Sequence, residues 1–404
     1  MRYPRILTVL FLTGVFFLIF LYGQKETDFK IIEENGVLVA VSPDHPIPIK
    51  DRPKNILFKE EFKVGSTKGD PNYIFGAFIS FTVDDEGHIY VLDWSERAVR
   101  KFDRQGKHLF TFGGPGQGPG EFSSPEAIRY LPNGQIMVFE GESQRYSCFT
   151  NEGKLSRTGR FQKLMFSPYF GLTNGHIIST NVLYESDKAV STLGIYDEKG
   201  SLISALSRTE KKTDPPWPRE GDLNARARRL AEAISRVAFR PSHLLAVDSR
   251  EDIYFAYSDK YEIKIFNVDG QLKKIIRTEL PLLPLREKDR RAFLDFRLPE
   301  DISTWGTMDE TFRKKIKERI NFPETMPAFL SLIPMDSDYL MVVRSGCYGQ
   351  NALIDIFDPS ARFIIEKELP FCINEGICRG QRLYTIDIDQ HGNRSVKCYS
   401  YVLK

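Results

Sequence analysis

Four polar residues are the strongest candidates for chemistry in this 404-residue chain: Glu126, Tyr169, His243 and Glu375. Each lies one or two positions after the start of a segment that recurs along the sequence. Facing carboxylates are typical Ca²⁺ ligands, and a histidine beside them could bind zinc or transfer protons. We therefore predict that these residues bind a ligand, with a metal ion such as Ca²⁺ as one alternative. The competing interpretation is that they only face the solvent in the channel.

The sequence contains none of the usual signatures of a catalytic centre. No nucleophile elbow or Ser/His/Asp arrangement is recognisable. The glycine-rich stretch Gly113–Gly120 lacks the Gly-Lys-Ser/Thr ending that a phosphate-binding loop needs. The five cysteines form no Cys-x-x-Cys pair, and Cys372 with Cys378 is the expected disulfide if one forms. We predict no catalytic residue, and the sequence favours a binding protein over an enzyme.

The overall charge is too balanced to require a polyanionic partner. The formal net charge is +2, and 27% of the residues are charged. Basic runs such as Arg226–Arg229 and Arg313–Lys315 alternate with acidic residues, which is typical of solvated helix faces. We expect no nucleic-acid partner.

The positions of these residues depend on a repeat of 47 residues. Gly87, Phe102 and Gly106 each have an identical residue 47 positions later, at 134, 149 and 153. Each repeat contains several short runs of branched and aromatic residues that end in turns, as antiparallel strands do. A period of this size with several strands per unit predicts an all-β propeller in which each repeat is one blade.

The repeat predicts six blades within residues 54–404, with two mainly helical insertions at 208–239 and 281–326. The strand Ile56–Lys63 has no blade before it, so we expect it to complete the last blade beside Ser395–Leu403. That pairing closes the ring and removes an exposed sheet edge. Residues 25–53 form an extended lead-in that includes a hairpin, Lys30–Ser42, about Asn35-Gly36.

An uncharged apolar stretch, Ile6–Gln24, follows Arg2 and Arg5 at the N-terminus. As a helix it approaches the thickness of a bilayer, and the preceding arginines predict that the remainder lies outside the cytoplasm. Residues 1–24 are therefore predicted to be a signal anchor, or a signal peptide if they are cleaved. The expected location is extracytoplasmic, anchored to the membrane, or secreted after cleavage.

Both insertions fall between the last strand of one blade and the first strand of the next. They therefore belong to one face of the ring, beside the mouth of the central channel. Their aromatic residues include Trp217 and Trp305, which we predict to form a lid or partner-binding surface. The alternative is that they pack the insertions onto the blades.

The segment 83–106 (VDDEGHIYVLDWSERAVRKFDRQG) and the glycine-rich link Gly113–Phe122 resemble the NHL repeat. The resemblance implies a bacterial six-bladed propeller that acts as a binding or scaffold module for a protein, peptide or glycan. Related propellers imply the alternative, a metal-dependent lyase or lactonase-type hydrolase with its site at the channel mouth.

Overall fold

The computed structural model describes residues 29–161, 170–172, 174–184, 188–197, 199–212, 223–298, 310–346, 350–389 and 392–404. The predicted anchor, and also Tyr169, Trp217 and Trp305, lie outside these ranges. Within them, no helix combines the length and the apolar character needed to cross a bilayer.

The described chain folds as a six-bladed β-propeller. An N-terminal segment supplies β1 (Lys30–Glu34), β2 (Val37–Ser42) and β3 (Ile56–Val64). Blade 1 contains β4 (Ile79–Val83), β5 (Ile89–Asp93), β6 (Ala98–Phe102) and β7 (His108–Gly113), and blade 2 contains β8 (Pro125–Tyr130), β9 (Ile136–Glu140), β10 (Arg145–Phe149) and β11 (Leu155–Arg160). Blade 3 contains β12 (Phe170–Gly171), β13 (Ile177–Tyr184), β14 (Lys188–Tyr196) and β15 (Leu202–Lys212), and blade 4 contains β16 (His243–Val247), β17 (Ile253–Tyr257), β18 (Glu262–Phe266) and β19 (Leu272–Thr278). Blade 5 contains β20 (Ser331–Pro334), β21 (Leu340–Ser345), β22 (Leu353–Phe357) and β23 (Phe363–Glu368), and blade 6 contains β24 (Gly376–Arg379), β25 (Arg382–Ile388) and β26 (Arg394–Leu403).

The recurring turns explain why short strands form at regular intervals. Between β6 and β7, the carboxylate of Asp103 accepts hydrogen bonds from the backbone N–H groups of Gln105 and Lys107, both at 2.9 Å. Gly106 in this turn has φ +83°, a conformation that glycine adopts without steric cost. The Asp-x-x-Gly pattern thus reverses the chain with its own polar groups satisfied.

The hydrophobic core is divided among the six interfaces between neighbouring blades. Each interface contains one cluster of buried apolar side chains. Between blades 1 and 2, for example, Phe112 and Phe149 pack with ring centroids 4.8 Å apart. Strand side chains alternate between the two faces of a blade. Each blade therefore has apolar side chains on both faces, and they pack against the two neighbouring blades.

The predicted closure of the ring is confirmed. Strand β3 pairs antiparallel with β26, from Ile56 opposite Leu403 to Val64 opposite Val396. Both Ile56 and Val64 are completely buried, because they face the clusters on the two sides of blade 6. The first and last strands of the propeller are therefore held together in one sheet.

The predicted hairpin is also confirmed, and it has a role that the sequence did not indicate. Asn35 and Gly36 have φ +52° and +80°, as a two-residue type I′ turn requires. Strand β2 then pairs in parallel with β19, with Val39 beside Ile275, so that blade 4 becomes six-stranded.

The two insertions form one helical unit. Helix α1 (Leu223–Ser235) precedes blade 4, and helices α2 (Glu287–Arg297) and α3 (Glu310–Lys317) precede blade 5, close to their predicted positions. Strand β15 continues to Lys212, four residues beyond the predicted start of the first insertion. Ala227, Ala231 and Ile316 are buried in a cluster that both insertions share.

The expected disulfide between Cys372 and Cys378 is wrong, since both residues carry reduced thiols. Cys378 is buried in the hydrophobic cluster between blades 5 and 6. Cys372 instead lies beside the Asn374 side chain, 3.7 Å from its amide nitrogen. The two side chains therefore have different surroundings.

Candidate site at the channel mouth

The candidate site is on the face that carries the insertions, where the inner strands begin. We call this face the insertion face. Ala77, Ser242 and Glu375, each at the same position of its repeat, are exposed. At the next position, Ala127 and Phe329 are buried between blades. Phe78 in blade 1 is exposed at this second position as well, and Ala328 in blade 5 is buried at the first, so the first position faces the channel mouth in blades 1, 4 and 6.

Glu126 occupies this mouth position in blade 2, where it lies against the loop after β9. A Cβ added to Gly141 would lie 1.9 Å from a carboxylate oxygen of Glu126. The carboxylate thus fills the space that a side chain at position 141 would need. Glycine at this position lets Glu126 lie across the rim of blade 2.

Glu375 in blade 6 lies beside a cluster that we call the mouth cluster: Phe78, Trp94 and Arg394. The Phe78 and Trp94 rings stack with centroids 5.5 Å apart and an interplanar angle of 26°. The guanidinium carbon of Arg394 is 5.2 Å from the centre of the Phe78 ring. Blades 1 and 6 thus jointly present aromatic and charged groups at the mouth.

Sequence reasoning missed Trp94 and Arg394, and only Trp94 had a recognisable signal. It immediately follows Asp93, at the end of the strongest repeat, where the link between the second and third strands begins. Arg394 begins β26 in a repeat too divergent to align. Its proximity to Phe78 depends on closure of the ring, because 316 positions separate the two residues.

A buried carboxylate fixes the loops below the mouth cluster. Asp93 accepts hydrogen bonds from the backbone N–H groups of Gly76 and Ser95, each at 3.0 Å. It also accepts one from Nη1 of Arg100 at 3.0 Å. The carboxylate therefore joins the entry to the inner strand, the turn that carries Trp94 and the third strand.

Glu140, 47 residues after Asp93, has the same role in blade 2. It accepts a hydrogen bond from the Ser123 backbone N–H at 2.7 Å, and another from Nε of Arg145. Burial acts to raise the pKa of Glu140, but the hydrogen bonds from Arg145, Ser123 and Ser124 outweigh it and hold the pKa below its usual range. Glu140 is thus held ionised as a structural anchor, and the 47-residue period could have identified it.

His243 lies apart from this arrangement, in the contact between blades 3 and 4. Its Nε2 is 3.1 Å from the hydroxyl of Ser207 in β15. Its ring packs against Tyr257 and Phe255, with centroids 5.1 and 5.7 Å away. These contacts give His243 a packing role that is sufficient to explain its position.

Among the described residues, no group of three or more His, Cys, Asp or Glu side chains is close enough to hold a metal ion. Tyr169 is not described. Of the four predicted residues, Glu126 and Glu375 thus lie at the mouth, and His243 packs between blades.

A cavity of about 270 Å³ lies on the opposite face, between blades 4 and 5. Most of the charged groups that line it are paired with one another. Arg250 donates to Asp338 at 2.8 Å, and Lys273 donates to Asp252 at 2.5 and 2.8 Å. These internal pairs already satisfy four of the six charged side chains in the lining.

The structural neighbours named below are each 12% identical to this chain or less. No protein-family model matches the chain, and no curated protein matches it. Among solved structures, a member of the DUF4221 family from Bacteroides vulgatus is 8% identical, covers 87% of this chain and 100% of its own, and has a TM-score of 0.47. A virginiamycin B lyase from Staphylococcus aureus is 10% identical, with 86% and 99% covered and a TM-score of 0.41. A gluconolactonase from Xanthomonas campestris is 12% identical, with 79% and 84% covered and a TM-score of 0.36.

Proposed function

We propose that the protein is an extracytoplasmic, membrane-anchored propeller of the NHL type that binds a protein, peptide or glycan at the channel mouth on the insertion face. One observation carries this proposal. Phe78 and Trp94 are 46% and 38% exposed although they are large and apolar, and they lie side by side beside two charged residues. Exposed aromatic groups with polar neighbours on a rigid scaffold are a common basis for binding.

The local backbone supports this interpretation. The loops that hold Phe78 and Trp94 are tied to buried Asp93, so the two rings need little ordering when a ligand arrives. A preorganised surface avoids part of the entropic cost of association. Aromatic side chains that only stabilise the core face inward, as Phe102 and Phe122 do. Phe78 and Trp94 do not.

The binding proposal is tested by photo-crosslinking in the cells that produce the protein. A benzophenone amino acid at exposed Ala77 places the crosslinker at the mouth. The same residue at exposed Leu109, on the outer strand of blade 1, is the matched control. We expect a crosslinked product from position 77 that disappears when Trp94→Ala is added. Equal products from both positions, or none from position 77, would contradict the proposal.

The proposed location rests on Arg2, Arg5 and the uncharged stretch Ile6–Gln24. An alkaline-phosphatase fusion after Lys404 should be active in a bacterial host, because this enzyme folds only outside the cytoplasm. Membrane association after a salt wash separates an uncleaved anchor from a cleaved signal. A fusion without activity, but with full expression, would reverse the proposed topology.

A further inference from the structure

Arg394 has unused hydrogen-bonding capacity. Its Nε is buried and has no hydrogen-bond partner among the described residues. Burial lowers the pKa of the guanidinium, and the nearby charge of Glu375 offsets this only in part. A guanidinium offers five N–H donors in a planar fork, and buried donors without acceptors cost free energy. Arg394 as a whole is only half-buried, so part of the side chain is accessible to an acceptor supplied from outside.

The Phe78–Trp94 pair lies directly beside this cation. The backbone N–H of Trp94 donates to the carbonyl of Phe78 at 3.2 Å, which joins the two backbone segments that carry the rings. Arg394 lies over the Phe78 ring, and Trp94 stacks with the same ring. An anionic group bound at Arg394 would therefore have an apolar surface next to it for an adjoining side chain.

In the blades next to the mouth cluster, most of the other exposed charges on this face are negative. In blades 1 and 2 and at the start of blade 6, three exposed carboxylates, Glu96, Glu142 and Glu375, accompany half-buried Glu126. Arg97 is the exposed cation in the link that carries Trp94. A ligand with many negative charges would be repelled by these carboxylates. A ligand with a single anionic group and neutral or basic neighbours fits them.

We propose that the mouth cluster binds the C-terminal end of a peptide. The terminal carboxylate accepts hydrogen bonds from Arg394, which matches the geometry of a guanidinium fork. The last side chain, apolar or aromatic, packs on Phe78 and Trp94. Basic residues further back in the peptide lie near Glu126 and the other carboxylates. This inference rests on the proposed function, since it names the ligand class of the same site.

The test uses the full-length protein purified in detergent and three probes. The first is the peptide acetyl-Lys-Gly-Phe with a free carboxylate, the second is the same peptide with a C-terminal amide, and the third is a disaccharide of glucuronic acid. Calorimetry measures the affinity of each probe. We expect the free acid to bind at least tenfold more tightly than the amide, and the disaccharide to bind more weakly than either peptide.

Four variants separate the cluster from its surroundings. Arg394→Gln should weaken binding of the acid by about tenfold to a hundredfold and leave the amide nearly unaffected, because only the acid uses the charge-assisted bonds. Arg394→Lys, which keeps the charge without the fork, should keep part of the preference. Arg97→Gln removes one positive charge from the same rim and should keep the full preference for the acid over the amide. Trp94→Ala should weaken both peptides equally.

Each other outcome contradicts the inference. Equal binding of acid and amide, or a preference for the acid that persists in a folded Arg394→Gln protein, would remove Arg394 as the carboxylate site. Tighter binding of the disaccharide would show that the ligand is an acidic glycan and not a peptide. If no probe binds, the inference is overturned, whereas the proposed function is overturned by the crosslinking results named above, such as no product from position 77.

Discussion

Val64 pairs with Val396 across the seam where the N-terminal strand β3 completes the C-terminal blade. Both side chains are completely buried in the cluster between blades 6 and 1. The seam therefore contributes a core contact as well as backbone hydrogen bonds. Three strands of blade 6 come from the end of the propeller and one from its beginning, so the ring is closed within a single sheet.

Ile56→Ala should strongly destabilise the protein, because it leaves a cavity at the other end of the same strand. Ile56 is completely buried, and replacement of a buried isoleucine by alanine costs about 2–5 kcal/mol. Denaturation in urea measures the change. Leu57→Ala, at a neighbouring residue that is 40% exposed, is the control and should cost less than half as much. Similar losses in both variants would show that the seam does not carry the stability.

The sequence predicted this closure because the first strand has no blade before it. Pairing with the last blade satisfies its backbone groups and closes the ring. It could not predict that Val39 in β2 would pair with Ile275 in β19, since parallel pairing between such distant segments leaves no local pattern. The Arg394–Phe78 contact was hidden for the same reason. It exists only because closure brings blades 6 and 1 together.

The exposure of the mouth position was predictable from alternation along the strands, and Glu375 is exposed at it. His243 was predicted to lie at the mouth although it occupies the position after the mouth position. In blade 5 that second position is held by buried Phe329. In blade 4 this position is used for packing against Phe255. Periodicity assigns faces, but it does not determine which side chains a blade places between itself and its neighbour.

Asp93→Asn should cost about 3 kcal/mol of stability. The substitution keeps the shape of the side chain but leaves the buried guanidinium of Arg100 without its counter-charge. Urea denaturation gives the free energy of unfolding. The exposed neighbour Glu96→Gln is the control and should change it by less than about 0.5 kcal/mol.

The double variant Asp93→Asn/Arg100→Met completes that experiment. Removing both charges should recover part of the loss, since no uncompensated buried charge remains. A double variant as unstable as the sum of the two single variants would show that Asp93 acts only through its backbone contacts with Gly76 and Ser95.

Ala231→Glu should separate the two insertions while leaving the propeller folded. Ala231 is buried where helix α1 packs against Ile316 and Leu298 of the second insertion, and a glutamate there would bury an unpaired charge. Limited proteolysis should cut the insertions much faster, with the circular-dichroism signal of the strands unchanged. Ala233→Glu, on the exposed side of the same helix, is the matched control. Loss of strand signal would instead show that the helical unit supports the ring.

Asp355 is completely buried in β22. Burial raises the pKa of Asp355 to about 7, and the hydrogen bond from the Tyr261 hydroxyl at 2.7 Å and the charge of Arg344 offset this only in part. In the unfolded chain the pKa is about 3.9. Between these two values the folded protein holds a proton that the unfolded chain has lost. The stabilising contribution is therefore fully present below pH 4 and is lost as the pH rises to 7.

We expect this group to lower the free energy of unfolding by an amount on the order of 4 kcal/mol between pH 4 and pH 7, since each pKa unit corresponds to about 1.4 kcal/mol. Asp355→Asn cannot ionise and can still accept the Tyr261 hydrogen bond, so its stability should change less over this range. Urea denaturation at half-unit pH steps measures both proteins. Asp387→Asn, at a partly exposed carboxylate paired with Lys397 at 3.0 Å, is the control and should keep the slope of the unmodified protein. If Asp355→Asn kept that slope as well, Asp355 would be ionised at pH 4, held by Arg344 as an ordinary buried ion pair.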